Sequence, residues 1–165
     1  FPAINWLTSY SLYADSLGVW FNENVAEDWT KLRAQIMRLL SEEAELNEMV
    51  KLVGVDALSA ADRLKMEAAR SIREDFLHQL AFHDVDTYTS AKKQHLMMKL
   101  VCEFYNQSSL ALENGAEILR ILSMSVRESI GRFKYIAEDE ASETFENIMA
   151  SLKVQLEACA KGEDD

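Results

Sequence analysis

The residue types that could do chemistry in this chain are few and lie far apart. Asp75 and His78 have the spacing of the Glu-x-x-His pairs that hold iron in di-iron helical bundles, with aspartate in place of glutamate. Such a centre needs a second pair of this kind and two further inward carboxylates, and no Glu-x-x-His exists in the sequence. A ferritin-like metalloenzyme is therefore the weakest of three functional hypotheses, and we predict no metal site.

The sequence also lacks the short motifs of nucleotide and redox chemistry. It contains no Gly-x-x-x-x-Gly-Lys-Ser/Thr loop for phosphates, no Cys-x-x-Cys pair and no His-x-x-x-His pair. A nucleophile beside a base stays open from the residues alone, although the serines occupy positions that helix caps and turns already explain. We predict no catalytic residue in this chain.

Composition narrows the class of protein. The 165 residues carry 28 acidic and 17 basic side chains, a net charge of −11, and this acidity disfavours nucleic acid as a partner. One proline and five glycines favour long helices over a loop-rich sandwich. No apolar run approaches the ~20 residues of a membrane span and no leader opens the chain, so we expect no direct membrane insertion. Two cysteines fit a reducing compartment.

Apolar spacing predicts an all-α fold, an irregular bundle of about five or six helices. A helix from Asp28 ends at Gly54, a second begins after Ser59, and together they form a long αα-hairpin over residues 28–80. We expect a connector at 1–27, further helices at 90–160 and a frayed tail at 161–165, all within a single domain. The acidic stretch 41–45 is interpreted as a solvated face.

The later helices are predicted from caps and stripes. Ser90 is expected to cap a third long helix, and Gly115 to separate it from a fourth that carries Ile118, Leu122 and Ile130 on one side. The last predicted helix, at 141–160, places four apolar residues on one stripe: Phe145, Ile148, Leu152 and Leu156.

Three blocks of sequence together resemble one family. The opening, residues 1–13, resembles the segment after the nucleotide-binding core in catalytic A subunits of V/A-type rotary ATPases. The hairpin turn, residues 52–64, resembles the shaft-contacting helix–turn–helix of that subunit and of the F-type β subunit. The third block, residues 72–88, is similar to the adenine-side segment and contains His78-Gln79-Leu80-Ala81-Phe82. The blocks follow the family order over residues 1 to about 105.

The resemblance implies that this chain is the C-terminal helical domain of a bacterial or archaeal A (alpha) subunit, cut from a larger protein that holds the β-barrel, the P-loop and the catalytic carboxylate. It implies ATP or ADP, bound with Mg²⁺ in the parent complex only, as the ligand. The residues that match the adenine-side positions are Phe1, Pro2, Gln79, Ala81 and Phe82.

One departure and one alternative affect the adenine assignment. The family commonly has Gln-Gln-Asn-Ala-Phe where this chain has Leu80 in place of the asparagine, so a side-chain amide at that position is in doubt. Phe82 could instead be a plug that packs the end of a helix onto the bundle.

The resemblance assigns the hairpin turn, residues 55–62, to contact with a rotating central stalk. Its members are Val55, Asp56, Ala57, Leu58, Ser59, Ala60, Ala61 and Asp62. The F-type turn is more acidic, so steric pushing by Leu58 and the backbone is expected rather than charge pairing. An ordinary capped hairpin is the alternative.

The remaining expectations concern the assembly. The implied partners are the nucleotide-binding core of the same subunit, B subunits in an alternating A3B3 ring, and the central stalk. The implied location is the cytoplasmic face of a membrane, in a peripheral sector that couples ATP synthesis or hydrolysis to proton or sodium transport. The chain alone is expected to be inactive. The competing hypothesis is a free-standing acidic helical adaptor that binds a partner helix in a groove.

Overall fold

The first half of the described chain is built on two antiparallel helices joined by a tight turn. A computed structural model describes residues 5–9 and 12–161, and the part described is all-α. Helix α1 (Ala14–Asn24) leads into α2 (Trp29–Val53), which a 3₁₀ turn (Val55–Ala57) joins to α3 (Ala60–Ser71). The chain then runs through a π-helical turn (Ile72–Leu77) and a second 3₁₀ turn (Asp86–Tyr88).

The second half of the chain covers the base of this pair. Helix α4 (Ala91–Glu113) packs on α2 and α3, and α7 (Ala141–Lys161) packs on α4. Two short helices, α5 (Ile118–Ser123) and α6 (Val126–Arg132), and a 3₁₀ turn (Phe133–Tyr135) lie between them. The described helices are therefore seven, in an irregular bundle, as the sequence predicts in class and closely in number.

The helix ends follow the expected capping chemistry. Gly54 follows α2 with φ of 86°, a backbone conformation that side chains with a Cβ rarely adopt. The hydroxyl oxygens of Ser59 and Ser90 accept hydrogen bonds from the backbone N–H groups of Asp62 and Lys93, at 3.1 Å in both cases. Gly115, with φ of 95°, follows α4.

Two expectations about the helices are wrong. Instead of one helix from 118 to 130, the chain has α5 and α6, since the backbone leaves helical geometry at Met124. Side chains satisfy the helix ends that this creates: Arg127 donates to the Leu122 carbonyl oxygen and Gln155 accepts from the Val126 N–H. Glu43 does not lie on a solvated face: it is buried in α2 and accepts a hydrogen bond from the Arg73 guanidinium, which compensates its charge.

The core is apolar and lies where α2, α3, α4 and α7 meet. The stripe expected on the last helix is buried in full, and so are Met97, Met98 and Cys102 of α4. Burial raises the pKa of the Cys102 thiol to about 12, so this sulfur is inert at neutral pH. Within residues 5–9 and 12–161, no helix combines the length and the apolar character that crossing a bilayer requires.

Candidate functional site

The segment between the π-helical turn and α4 presents an aromatic ring to solvent. The backbone N–H of His83 donates to the carbonyl oxygen of Leu80 at 3.1 Å, which closes a β-turn with Ala81 and Phe82 at its corner. Phe82 is 103% exposed, so the alternative in which it plugs the end of a helix is wrong. Gln79 and Ala81, beside it, are exposed as well.

Side chains from the following residues hold this turn. The Asp86 carboxylate is fully buried, and its Oδ2 accepts from the Leu80 N–H at 2.7 Å. The Thr87 hydroxyl lies 3.0 Å from the carbonyl oxygen of Ala81 and 2.7 Å from that of His83. The Nδ1 of His83 accepts from the backbone N–H groups of Val85 and Asp86, at 3.3 Å each. The turn is therefore tied down on both sides of its exposed ring.

Two buried lysines connect the same segment to the bundle. The Lys134 ammonium donates to the carbonyl oxygens of Glu74 and His78, at 2.7 and 3.1 Å, and so closes the end of the π-helical turn. The Lys93 ammonium donates to the carbonyl oxygens of Lys134 and Ile136, at 2.8 and 2.6 Å. Burial lowers the pKa of Lys93, while the charges of Glu138 and Asp86 act in the opposite direction.

The other half of the predicted adenine set cannot be placed beside Phe82. Phe1 and Pro2 lie outside the described residues. The part of the chain near them that is described includes Trp6, which packs against the core. The structure thus brings Gln79, Ala81 and Phe82 together in one turn and leaves the contribution of the first residues a prediction.

The hairpin turn divides into residues that face out and residues that hold the turn together. Val55 is 53% exposed and the Asp56 side chain is fully exposed, 3.6 Å from the Arg63 guanidinium. The Asp62 carboxylate accepts a hydrogen bond from the Ser59 hydroxyl at 2.7 Å, so it is engaged in the cap of α3. Ala57, Ser59, Ala60 and Ala61 are exposed.

Leu58 does not have the role expected of it. The sequence suggested that it would push on a partner, but only 7% of its surface is exposed. Its backbone N–H donates to the Val55 carbonyl oxygen at 3.1 Å, and an extended backbone at Leu58 turns the side chain away from solvent under the tip. Leu58 therefore stabilises the turn from within, and it cannot be a surface contact.

Replacing Leu58 with alanine is expected to lower the free energy of unfolding by about 2 kcal/mol, because it removes a buried side chain and leaves a cavity. Val55→Ala, three residues away and exposed, is expected to change it by less than ~0.5 kcal/mol. Urea unfolding followed by circular dichroism measures both. Equal losses for the two variants would show that the leucine is not buried under the tip.

An exposed apolar patch at the end of α2 was missed by the sequence reasoning. Leu46 is the last buried residue of α2, and the side chains beyond it emerge from the bundle. Leu52 is 85% exposed, and Met49, Val53 and Val55 are each half exposed or more. The apolar spacing of α2 continues to Val53, but spacing alone does not show where the covering helices stop. We call Leu52, Val53 and Val55 the tip patch.

The Asp75 and His78 pair shows no sign of a metal centre. His78 is exposed, whereas the Asp75 carboxylate accepts from the Ser71 hydroxyl in a cleft of about 260 Å³ that Arg127 also lines. Among residues 5–9 and 12–161 no three histidine, cysteine or acidic side chains are grouped as metal ligands would be. Burial raises the pKa of Asp75, and this outweighs the lowering by Ser71 and Lys134.

The raised pKa of Asp75 predicts that this carboxyl group lowers the stability of the fold once the pH is high enough to ionise it. Because the folded chain holds the proton more tightly than the unfolded chain, stability falls as the pH rises from about 3.8 through the folded pKa. Asp75→Asn removes that cost, so the stability of the variant relative to the natural chain should increase over this range and then level off. Urea unfolding from pH 3 to 7 measures it. Exposed Asp139→Asn is the control, and a parallel curve for Asp75→Asn would contradict the assignment.

Comparison with known proteins gives one consistent result. A family model described as the C-terminal domain of V and A type ATP synthase matches residues 18–122. The V-type ATP synthase alpha chain of Acetivibrio thermocellus is 57% identical over 158 residues, which are 96% of this chain and 27% of that protein. The alpha chain of Thermoanaerobacter pseudethanolicus is 52% identical over 162 residues, 98% of this chain and 27% of the relative.

The relatives extend the resemblance beyond its predicted limit near residue 105. A third alpha chain, from Clostridium botulinum, is 55% identical over 150 residues, 91% of this chain and 25% of its own length. The chain thus spans about a quarter of the length of the curated relatives that it matches. Since the family model covers more than half of the chain and the relatives nearly all of it, this chain belongs to the family of C-terminal domains of V and A type ATP synthases.

Proposed function

We propose that this domain forms the adenine side of an ATP site and transmits the motion of that site to a central stalk. The observation that carries the proposal is Phe82, a fully exposed ring at the corner of a turn whose backbone is fastened by buried groups. Phe82 has the largest exposed fraction among the exposed large apolar side chains described, so its ring is free to stack on a ligand. A phenylalanine face suits a purine ring, which needs apolar walls and stacking rather than many polar contacts.

The chemistry of hydrolysis or synthesis belongs, in this proposal, to the rest of an alpha chain. The described residues hold none of the phosphate-binding loops. The domain therefore supplies one wall of a site for Mg²⁺-bound ATP or ADP. The nucleotide-binding core of the same subunit is the partner that supplies the rest of the site. The further partners are B subunits, alternating with alpha chains in an A3B3 ring. This chain alone should hydrolyse no ATP, and turnover above a buffer control would contradict the proposal.

The α2–α3 hairpin has the rigidity that a lever needs. Glu43 of α2 pairs with Arg73 at the base, and the carboxylate of Glu42 lies 3.2 Å from the Lys65 ammonium of α3. Between this pair and the tip, the Ser59 cap and the buried Leu58 hold the turn. A displacement at the base would therefore reach the tip patch with little loss in bending.

The proposed contact with the stalk is apolar. Leu52, Val53 and Val55 are exposed at the end of the lever, and the Asp56 carboxylate is already near Arg63. The contact would couple ATP synthesis or hydrolysis to proton or sodium transport in a peripheral sector on the cytoplasmic face of a membrane. The acidic adaptor is the competing function, and it predicts no nucleotide at Phe82.

The adenine proposal is tested by Phe82→Ala in the complete alpha chain assembled with its partner subunits. We expect ATP affinity to fall about tenfold, because the stacking face is lost. Thermal unfolding should not change, since the ring touches no core residue. The control is Leu119→Ala, another exposed apolar residue, on α5. Isothermal titration with ATP measures affinity, and unchanged affinity in Phe82→Ala would favour the adaptor.

A further inference from the structure

The backbone that carries the exposed Phe82 ring is hydrogen-bonded to side chains from outside the turn. The backbone of a solvent-exposed β-turn would normally sample several conformations, and these would have to be given up when a ligand binds. Here peptide groups of Leu80, Ala81 and His83 are bonded to side chains of residues four to six positions later. The turn is built before any ligand arrives.

Asp86 fastens the entry to the turn. Its side chain is fully buried, and Oδ2 accepts from the Leu80 N–H at 2.7 Å, two residues before the ring. Its Oδ1 has no hydrogen-bond partner among the described residues. Burying a carboxylate in this way costs free energy, which the backbone bond alone offsets only in part. Such a cost is typical of groups that a functional site requires.

Thr87 fastens the corner and the exit. Its hydroxyl lies between two carbonyl oxygens, 3.0 Å from that of Ala81 and 2.7 Å from that of His83, the residues on either side of Phe82. The backbone N–H of Thr87 donates to the same His83 carbonyl at 3.0 Å. Rotation of the peptide plane that joins Ala81 to Phe82, or of the plane that follows His83, would break these contacts.

We infer that Asp86 and Thr87 are positioning residues, which hold the Leu80–His83 turn so that the Phe82 ring is preformed to stack on a purine. The inference rests on the proposed adenine role of Phe82. It adds that part of the affinity for nucleotide comes from two side chains that never touch it. Preorganisation of this kind acts by reducing the entropy lost on binding.

The test uses the complete alpha chain assembled with its partner subunits, and it combines amide exchange with ATP titration. Thr87→Val keeps the shape of the side chain and removes the hydroxyl, whereas Thr87→Ser keeps the hydroxyl. We expect amides of residues 80–88 to exchange about tenfold faster in Thr87→Val without nucleotide. ATP affinity should fall about threefold in this variant and recover in Thr87→Ser. Asp86→Ala should act in the same direction.

A double variant separates positioning from a general loss of structure. If Thr87 acts only through the ring, Phe82→Ala/Thr87→Val should bind ATP no more weakly than Phe82→Ala alone. The inference would be overturned if the losses of ATP affinity in the two single variants added up in the double variant. It would also be overturned if Thr87→Val bound ATP normally while Phe82→Ala bound it more weakly. Unchanged ATP affinity in Phe82→Ala would instead contradict the adenine proposal and, with it, the inference. The amide exchange rates would still show whether Asp86 and Thr87 stabilise the turn.

Discussion

Lys93→Met is expected to lower the free energy of unfolding by about 3 kcal/mol. Lys93 is 1% exposed, and its ammonium donates to the carbonyl oxygens of Lys134 and Ile136. Methionine keeps the length of the side chain but leaves two buried carbonyl groups without donors. Burying the charged ammonium also costs free energy, because burial lowers its pKa. The expected loss is therefore the value of the two hydrogen bonds less this cost of burial.

The neighbouring Lys92 provides the matched control. It is exposed in the first turn of α4, and Lys92→Met should change stability by less than ~0.5 kcal/mol.

The same burial predicts a dependence on pH. Because the folded pKa of Lys93 lies below its ordinary 10.5, the stability of the natural chain relative to Lys93→Met should rise as the pH increases from the folded pKa towards 10.5. Urea unfolding at pH 7 to 10 measures both effects. Equal losses for Lys92→Met and Lys93→Met would contradict the burial argument.

If the tip patch makes the proposed contact with the stalk, replacing Leu52, Val53 and Val55 together with serine is expected to uncouple ATP hydrolysis from ion transport in the assembled complex. These side chains are exposed at the end of the hairpin, and their removal would take on the order of 3 kcal/mol from an apolar contact with the stalk. The fold should be unaffected, because none of the three belongs to the core. The ratio of ions moved to ATP hydrolysed, measured in proteoliposomes, should therefore fall steeply.

Asp56→Lys distinguishes an apolar contact from a charged one. The Asp56 side chain is fully exposed and its ion pair with Arg63 is long, at 3.6 Å, so a steric contact predicts only a modest change in coupling. Complete uncoupling by this charge reversal, with normal coupling in the triple serine variant, would show that charge pairing carries the contact.

The local features of the fold could be predicted from the sequence because they depend on neighbours along the chain. Gly54 and Ser59 mark the ends of two helices through backbone conformation and capping, which act within a few residues. The stripe from Phe145 to Leu156 indicates a helix with one buried face for the same reason. Family membership was also within reach, since three blocks of sequence in order carry it.

Features that depend on distant residues could not be predicted in this way. In the sequence Glu43 belongs to an acidic run, and its burial depends on Arg73, thirty residues later, which donates a hydrogen bond to its carboxylate. The helix breaks at Met124 without a glycine or proline there, and the Val126 N–H at the start of α6 donates to the side chain of Gln155, twenty-nine residues later. The π-helical turn ends where Lys134 takes the carbonyl oxygens of Glu74 and His78.

Neighbours along the chain were enough to predict the helical class and the caps, and three blocks of sequence were enough to recognise the family and to propose site residues. Which of these residues face outward depends on how the helices pack: Phe82 and Val55 are exposed, whereas Leu58 is buried. Helix spacing specifies a direction around one axis, whereas exposure depends on what other elements cover that direction and how far along the helix they extend. The hairpin extends beyond the helices that pack on its base. The apolar side chains at the end of α2 are therefore exposed, although they continue the stripe that is buried nearer the base.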